Sequence, residues 1–133
     1  MTNNTSNINI FEQTKWYFGT YKKNASKKSM ICFLFKNDNK TIGFGVVSKK
    51  DNGKYWITGG LLPKSRGKGF GKTLFKSIIA SVPSSEVWLE VLDSNGVAKK
   101  LYISLGFKKV ANKDPERKHV LIMKLENKKN DLN

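Results

Sequence analysis

The period of the hydrophobic pattern changes at Pro63, and this change constrains the fold more than any other feature of the chain. Before this proline, the apolar runs are short and are bounded by turn residues such as Asn52-Gly53, which is typical of antiparallel strands. After it, apolar residues recur at the spacing of one face of a helix. The predicted strands are 30–36, 41–49 and 55–63, and the helical stripe is Phe70, Leu74, Phe75, Ile78, Ile79 and Val82. The sequence therefore predicts a meander of strands that leads into a helix.

The rest of the chain alternates between strand and helix signals. Ser94 and Asn95 are candidate N-caps of a second helix, and Gly106 stands where a left-handed residue would end it. The other segments are an aromatic-rich strand or helix within 8–21, an exposed loop at 22–29, a strand at 86–92 that is apolar on both faces, a strand at 107–111, a charged loop at 112–118 and a last strand at 119–126. We therefore expect a single α/β (α+β) domain over 1–133, with 1–10 and 127–133 flexible.

Composition limits the functional classes. The 133 residues include one cysteine, Cys32, which excludes an internal disulfide and is expected to be a buried, inert thiol. No apolar run is long enough to cross a bilayer and the start does not resemble a secretory signal, so a cytoplasmic protein without a membrane partner is expected. The net charge of +15 suggests a polyanionic partner such as nucleic acid, or it is compositional drift toward lysine.

The stretch RGKGFGKTLF, from Arg66 to Phe75, places glycines and cations at the start of the first helix. Glycine destabilises a helix interior by roughly 0.5–1 kcal/mol relative to alanine. At a helix N-terminus, however, bare backbone and unpaired N–H groups bind phosphate, and Arg66, Lys68 and Lys72 add positive charge. The stretch is one residue short of a P-loop and lacks the spacing of a dinucleotide fingerprint, but it matches R-x-x-G-x-G. Glycines that only mark a loop are the remaining alternative.

A second motif lies one strand further on, in LEVLDSNGVAKKLYISLGFKKV. It contains V-x-x-x-N-x-x-A-x-x-L-Y-x-x-x-G-F at Val91, Asn95, Ala98, Leu101, Tyr102, Gly106 and Phe107. Together with R-x-x-G-x-G, this pattern resembles the GNAT superfamily of acyl-CoA-dependent N-acetyltransferases. Within that superfamily it is most similar to the enzymes that acetylate the N-terminal alanine of ribosomal proteins.

The resemblance implies a central mixed, mostly antiparallel sheet, flanked by helices, with a V-shaped splay between two central strands that admits acetyl-CoA. The N-terminal helical part of the family fold would be shortened, because about 29 residues precede the first predicted strand. Gly59 and Gly60 suit a bulge or a close approach at the splay. The implied cofactor-binding residues are Leu61, Leu62, Arg66, Gly67, Lys68, Gly69, Phe70, Gly71, Lys72 and Asn95. No metal is implied.

The resemblance also implies the catalytic pair. Tyr102 matches the tyrosine that protonates the leaving thiolate, although its helical spacing also fits a core aromatic. Glu90 matches the general base; burial in its strand would raise its pKa, whereas at an exposed strand end it would pair with a lysine. Asn95 would help to place the cofactor or would only cap its helix. Tyr55 stands where many relatives carry their base, and His119 is expected on the surface.

The function that this resemblance implies is transfer of an acetyl group from acetyl-CoA to a primary amine, such as a protein N-terminus or lysine. A short acceptor region favours a macromolecule over a small molecule and suggests completion by a second subunit, as in a homodimer. Two alternatives stay open. One is a nucleic-acid-directed protein, either an acyltransferase on tRNA or DNA or a basic binding module. The other is an acyl-CoA sensor without catalysis.

Overall fold

The computed structural model of the chain describes residues 14–23, 26–112 and 114–126, with side chains from residue 30 onward. Within these residues the order of elements follows the predicted alternation of strands and helices. The elements are β1 (Thr14–Lys23), β2 (Ser26–Asn37), β3 (Lys40–Lys49), β4 (Tyr55–Leu61), α1 (Phe70–Ala80), β5 (Val87–Leu92), α2 (Gly96–Ser104), β6 (Lys108–Val110) and β7 (Val120–Leu125), with short 3-10 turns at Pro63–Ser65 and Pro115–Arg117.

All seven described strands form one sheet in the order β1-β2-β3-β4-β5-β7-β6. Every neighbouring pair is antiparallel except β4 and β5, which are parallel. These two strands are registered only at Trp56 and Trp88, whereas β3 and β4 are registered along the whole of β4 from Tyr55 to Leu61. The expected mostly antiparallel sheet with a splay between two central strands is therefore confirmed.

Helix α1 packs closely on β3 and β4 because the strands carry glycine beneath it. A Cβ atom at Gly45 would lie 2.7 Å from the side chain of Ile78, and one at Gly59 would lie 2.8 Å from it. Ile78 itself is fully buried. The close approach expected at Gly59 is thus an approach of β4 to α1. It sets the distance between the helix and the sheet at the point where β4 and β5 separate.

Helix α2 begins and ends as its sequence predicts. The Asn95 side chain accepts a hydrogen bond from the N–H of Ala98 at 3.2 Å, which makes Asn95 the N-cap rather than Ser94. Gly106 follows the helix with φ of 101°, in the left-handed region that favours glycine. Within the described residues, neither helix is long and apolar enough to span a membrane.

The exposed loop expected at 22–29 is wrong. β1 continues to Lys23 and β2 begins at Ser26, with Lys22 opposite Lys27 and Lys23 opposite Ser26. Ladder hydrogen bonds join backbone groups, so they do not need an apolar pattern, and lysine is common on edge strands such as β1. The segments expected to be flexible, 1–10 and 127–133, lie outside the described residues.

Candidate functional site

The N-terminus of α1 is open. Its N-cap is Gly69, with φ of 82°, and because glycine has no side chain, no side-chain cap satisfies the N–H groups of the first turn. Gly67 also has a positive φ, 77°, and the segment of Arg66, Lys68 and Lys72 around it is exposed. Bare backbone donors, the positive end of the helix dipole and three cations therefore meet in one exposed place, which suits a phosphate or diphosphate group.

The end of β4 lies beside this helix entry. Arg66 Nε donates to the carbonyl of Leu61 at 3.2 Å. The N–H of Leu62 is bonded to the Ile42 carbonyl, and the Leu62 carbonyl accepts from the N–H of Ser65, each at 2.8 Å. Adjacent residues of a strand direct their backbone groups to opposite sides, so those of Leu61 project away from β3, toward the splay. Leu61 and Leu62 are both implied above as cofactor-binding residues, and Leu61 is the one whose backbone groups are directed toward the splay.

A cavity of about 240 Å³ opens beside the splay. Trp56 is the last residue of β4 registered with β5; Thr58 lies two residues beyond it, and Glu90 lies two residues beyond Trp88. The cavity is lined by Val46, Ser48, Lys50, Trp56, Ile57, Thr58 and Glu90. The carboxylate of Glu90 is thus a cavity-lining group at the point where the two strands separate.

Glu90 is paired with an arginine. Both carboxylate oxygens accept from Arg117, Oε2 from Nη1 and Oε1 from Nη2, each at 2.8 Å. The Glu90 side chain is 33% exposed. Hydrogen bonding from Arg117 outweighs partial burial and lowers the pKa of the Glu90 carboxyl below its ordinary value. The expectation that burial raises this pKa is therefore wrong, and the exposed, paired alternative holds with an arginine in place of the lysine. The strand expected to be apolar on both faces leaves Glu90 and Leu92 exposed.

Tyr102 is buried in the core beside α1. Its ring meets those of Phe75 and Phe107 edge to face, with centroid distances of 5.2 and 6.0 Å. Burial raises the pKa of the Tyr102 phenol, so the hydroxyl keeps its proton at neutral pH. Its ring is a core aromatic, and its protonated hydroxyl is compatible with the role of an acid.

The remaining candidate residues do not line the cavity. Asn95 caps α2, as described above. His119 is exposed, as expected, and Tyr55 is half-buried beneath the ammonium of Lys49, 5.8 Å from its ring centroid. Cys32 is half-buried rather than buried, and burial raises the pKa of its thiol, which disfavours the reactive thiolate.

Sequence reasoning missed two neighbours of Glu90. Arg117 lies in the segment interpreted only as a charged loop, 27 residues away in the chain. Lys50 lines the same cavity, and its Nζ lies 4.3 Å from the centroid of a Trp56 ring. Neither residue belongs to a motif, and only the register of the sheet brings them to the carboxylate. Within the described residues, no group of three or more His, Cys, Asp or Glu side chains is placed to hold a metal ion.

Comparison with known proteins gives consistent matches. The family model for the acetyltransferase (GNAT) family matches residues 4–107. The ribosomal protein bS18-alanine N-acetyltransferase of Haemophilus influenzae is 35% identical over 98 residues, which cover 71% of this chain and 66% of that protein. The corresponding protein of Haemophilus ducreyi is 28% identical over 120 residues, covering 83% of this chain and 82% of that one. The chain thus spans 66% of the length of the first of these relatives.

Solved structures share the fold. The GNAT domain of S. lividans PAT has a TM-score of 0.63 at 13% identity, covering 73% of this chain and 60% of that one. The N-acetyltransferase PseH of Campylobacter jejuni has a TM-score of 0.61 at 23% identity, covering 73% of this chain and 67% of that one. PseH has also been solved in complex with acetyl coenzyme A. At these identities the likeness concerns the fold alone.

Proposed function

Because the chain belongs to the GNAT acetyltransferase family, we propose that it transfers an acetyl group from acetyl-CoA to a primary amine of a macromolecule. The observation that carries this proposal is the placement of an uncapped, cation-rich helix N-terminus and a cavity-lining carboxylate on either side of one strand splay. A diphosphate-bearing thioester needs an anion site, and an acceptor amine needs a proton acceptor. The exposed cationic helix end and the Glu90 carboxylate, both beside β4, support this proposal.

Acetyl-CoA would bind along the end of β4 and the start of α1. In this proposal its diphosphate takes hydrogen bonds from backbone N–H groups between Gly67 and Gly71, while Arg66, Lys68 and Lys72 supply charge. Phe70 is buried and anchors the first turn, so its backbone rather than its side chain would serve the ligand. The amides of the pantetheine arm pair with the backbone of Leu61, in the manner of an added strand. Asn95 acts on the cofactor only indirectly, by fixing the start of α2.

The two side chains of the proposed reaction are Glu90 and Tyr102. Glu90 accepts a proton from the acceptor's ammonium group, and the free amine then attacks the thioester carbonyl carbon. The new C–N bond forms as the C–S bond breaks, and the departing thiolate takes the phenolic proton of Tyr102. The nitrogen of the new amide then loses its extra proton to solvent, and the Tyr102 phenolate takes a proton back from solvent. The ionised Glu90 and the protonated Tyr102 have the starting states that this sequence of transfers needs.

The acceptor class that we propose is supported by the names of two relatives and by the exposed residues of the cavity. The two Haemophilus relatives are named for acetylation of an alanine of ribosomal protein bS18. In this chain the cavity-lining residues Lys50, Thr58 and Glu90 are exposed, which leaves room for a chain end to enter. We therefore assign a protein N-terminus as the acceptor.

The test is mass spectrometry with isotope-labelled acetyl-CoA. Synthetic N-terminal peptides of ribosomal proteins, with and without a blocked α-amine, are incubated with the wild-type protein and with Glu90→Gln. We expect label on the free α-amine with the wild-type protein and a large loss of rate with the variant. Label on lysine only would overturn the assignment of the acceptor. Label on tRNA or DNA would favour the nucleic-acid alternative, and binding of acetyl-CoA without transfer to any of these would favour the sensor.

A further inference from the structure

The ion pair between Glu90 and Arg117 joins two elements that are far apart in the chain. Glu90 lies in β5, and Arg117 ends the 3-10 turn between β6 and β7. The guanidinium meets the carboxylate with two parallel hydrogen bonds of 2.8 Å each. Such a fork fixes the plane of the carboxylate as well as its charge, which a single lysine contact would not do.

The turn that carries Arg117 is itself held in place. The side-chain amide nitrogen of Asn112 donates at 2.8 Å to the Arg117 carbonyl and at 2.8 Å to the Val120 carbonyl. Asp114 Oδ1 accepts from the N–H of Glu116 at 3.0 Å, which caps the turn. The backbone of Arg117 is therefore tied to the start of β7, and β7 is the strand paired with β5. This arrangement holds the arginine over Glu90 by more than the ion pair alone.

The described groups that face Glu90 from the neighbouring strands are uncharged. Its register partner on β7 is Ile122, and from β4 the cavity is lined by Trp56, Ile57 and Thr58. Lys50, from the turn between β3 and β4, is the second cation and also lowers the pKa of Glu90, by a weaker through-space effect. Two cations thus act on Glu90, and only Arg117 hydrogen-bonds to it among the described residues.

We propose that Arg117 is a positioning residue that holds Glu90 as an oriented carboxylate, so that the acceptor amine binds in its protonated form. This inference rests on the proposed function. A carboxylate offers about four lone-pair positions, and the arginine fork takes two of them. The other two serve the acceptor's ammonium group, which gives Glu90 a proton before the free amine attacks. Glu90 then passes the proton to solvent through its exposed side.

The test combines a titration and a rate profile in Arg117→Leu, with Lys118→Leu as the matched control. Lys118 is the next residue of the chain and is exposed, so its change removes the same charge without removing the fork. The pKa of Glu90 is read from its side-chain carboxyl carbon by NMR, independently of activity. The profile of kcat/KM against pH is measured for peptide acetylation.

We expect the Glu90 pKa and the acid limb of kcat/KM to move to higher pH together in Arg117→Leu, and neither to move in Lys118→Leu. Arg117→Lys, which keeps the charge and loses the fork, should give a smaller shift of the same sign. A purely structural role would lower the rate equally at all pH values and leave the limb in place. That result would overturn the inference, and so would an unchanged Glu90 pKa.

The proposed function has a separate point of failure. If Glu90→Gln abolishes acetylation but Arg117→Leu shifts neither the pKa nor the limb, the inference fails and the function stands. If the wild-type protein acetylates no peptide amine, the function fails, and the role assigned to Arg117 in acceptor binding falls with it.

Discussion

Replacing Tyr102 by phenylalanine separates its proposed chemistry from its packing. The ring is 9% exposed and meets Phe75 and Phe107 at 5.2 and 6.0 Å, and phenylalanine keeps both contacts. Each such aromatic pair is worth about 0.5–1.5 kcal/mol beyond its buried area, and this is retained. The hydroxyl forms no hydrogen bond to another described residue, so its removal should change the free energy of unfolding by less than about 1 kcal/mol.

The effect on catalysis should be much larger. General acid catalysis contributes about 10²–10⁴ in rate, which corresponds to about 3–5 kcal/mol in the activation free energy. We therefore expect kcat to fall by about 10²-fold or more, with little change in the urea midpoint. Tyr55→Phe, which removes a hydroxyl from the half-buried tyrosine of β4, is the control and should keep the wild-type kcat.

The assay is steady-state acetylation of a ribosomal-protein N-terminal peptide, followed by release of free thiol. A Tyr102→Phe variant with kcat within about threefold of the wild type would show that this tyrosine is only a core aromatic, since such a ratio is about 0.7 kcal/mol. The assignment of the acid would then be wrong, whatever the fate of Glu90.

Three further changes test local parts of the account. Asn95→Ala removes the cap of α2 and should lower the free energy of unfolding by about 1 kcal/mol in a urea titration; no change would mean that the cap is dispensable. Gly59→Ala would place a Cβ 2.8 Å from a backbone oxygen and should destabilise the fold by about 1–3 kcal/mol. Gly71→Ala, whose Cβ would have no contact closer than 3.7 Å, should be neutral or stabilising. Equal effects of the two changes on the free energy of unfolding would contradict the packing of α1. The pKa of Glu90 is lowered in the folded state, so its pairing with Arg117 stabilises the fold above the ordinary glutamate pKa, and this stabilisation is lost as pH falls through the lowered value. The difference in unfolding free energy between wild type and Arg117→Leu should therefore vanish in acid. A difference that persists there would refute the pairing.

The parts of the site predicted best from the sequence are those encoded locally. Gly69 at the N-cap, with Arg66 and Lys72 beside it, follows from glycine and charge at a helix start. The cap at Asn95 and the left-handed Gly106 follow from similar short-range rules. Each of these depends on a few neighbouring residues, so a linear pattern is sufficient to reveal it.

The errors concern features that depend on pairing across the sheet. Hydrophobic periodicity does not predict the pairing of Lys22 with Lys27 and of Lys23 with Ser26, because this lysine-rich stretch has no apolar alternation. The sign of the Glu90 pKa shift was missed because Arg117 reaches it only through the register of β5 with β7. A charged residue in a strand therefore predicts a partner of opposite charge, but it does not identify that partner.

Calorimetric titration with acetyl-CoA tests the central claim most directly. We predict micromolar binding by the wild-type protein, and loss of detectable binding in Arg66→Glu and Gly69→Glu, which put negative charge at the α1 entry. Lys49→Glu makes the same change of charge as Arg66→Glu but lies opposite Tyr55, at the other end of β4 from Leu61, and should bind like the wild type. Unchanged binding in Arg66→Glu and Gly69→Glu would contradict the claim that this helix end holds the diphosphate.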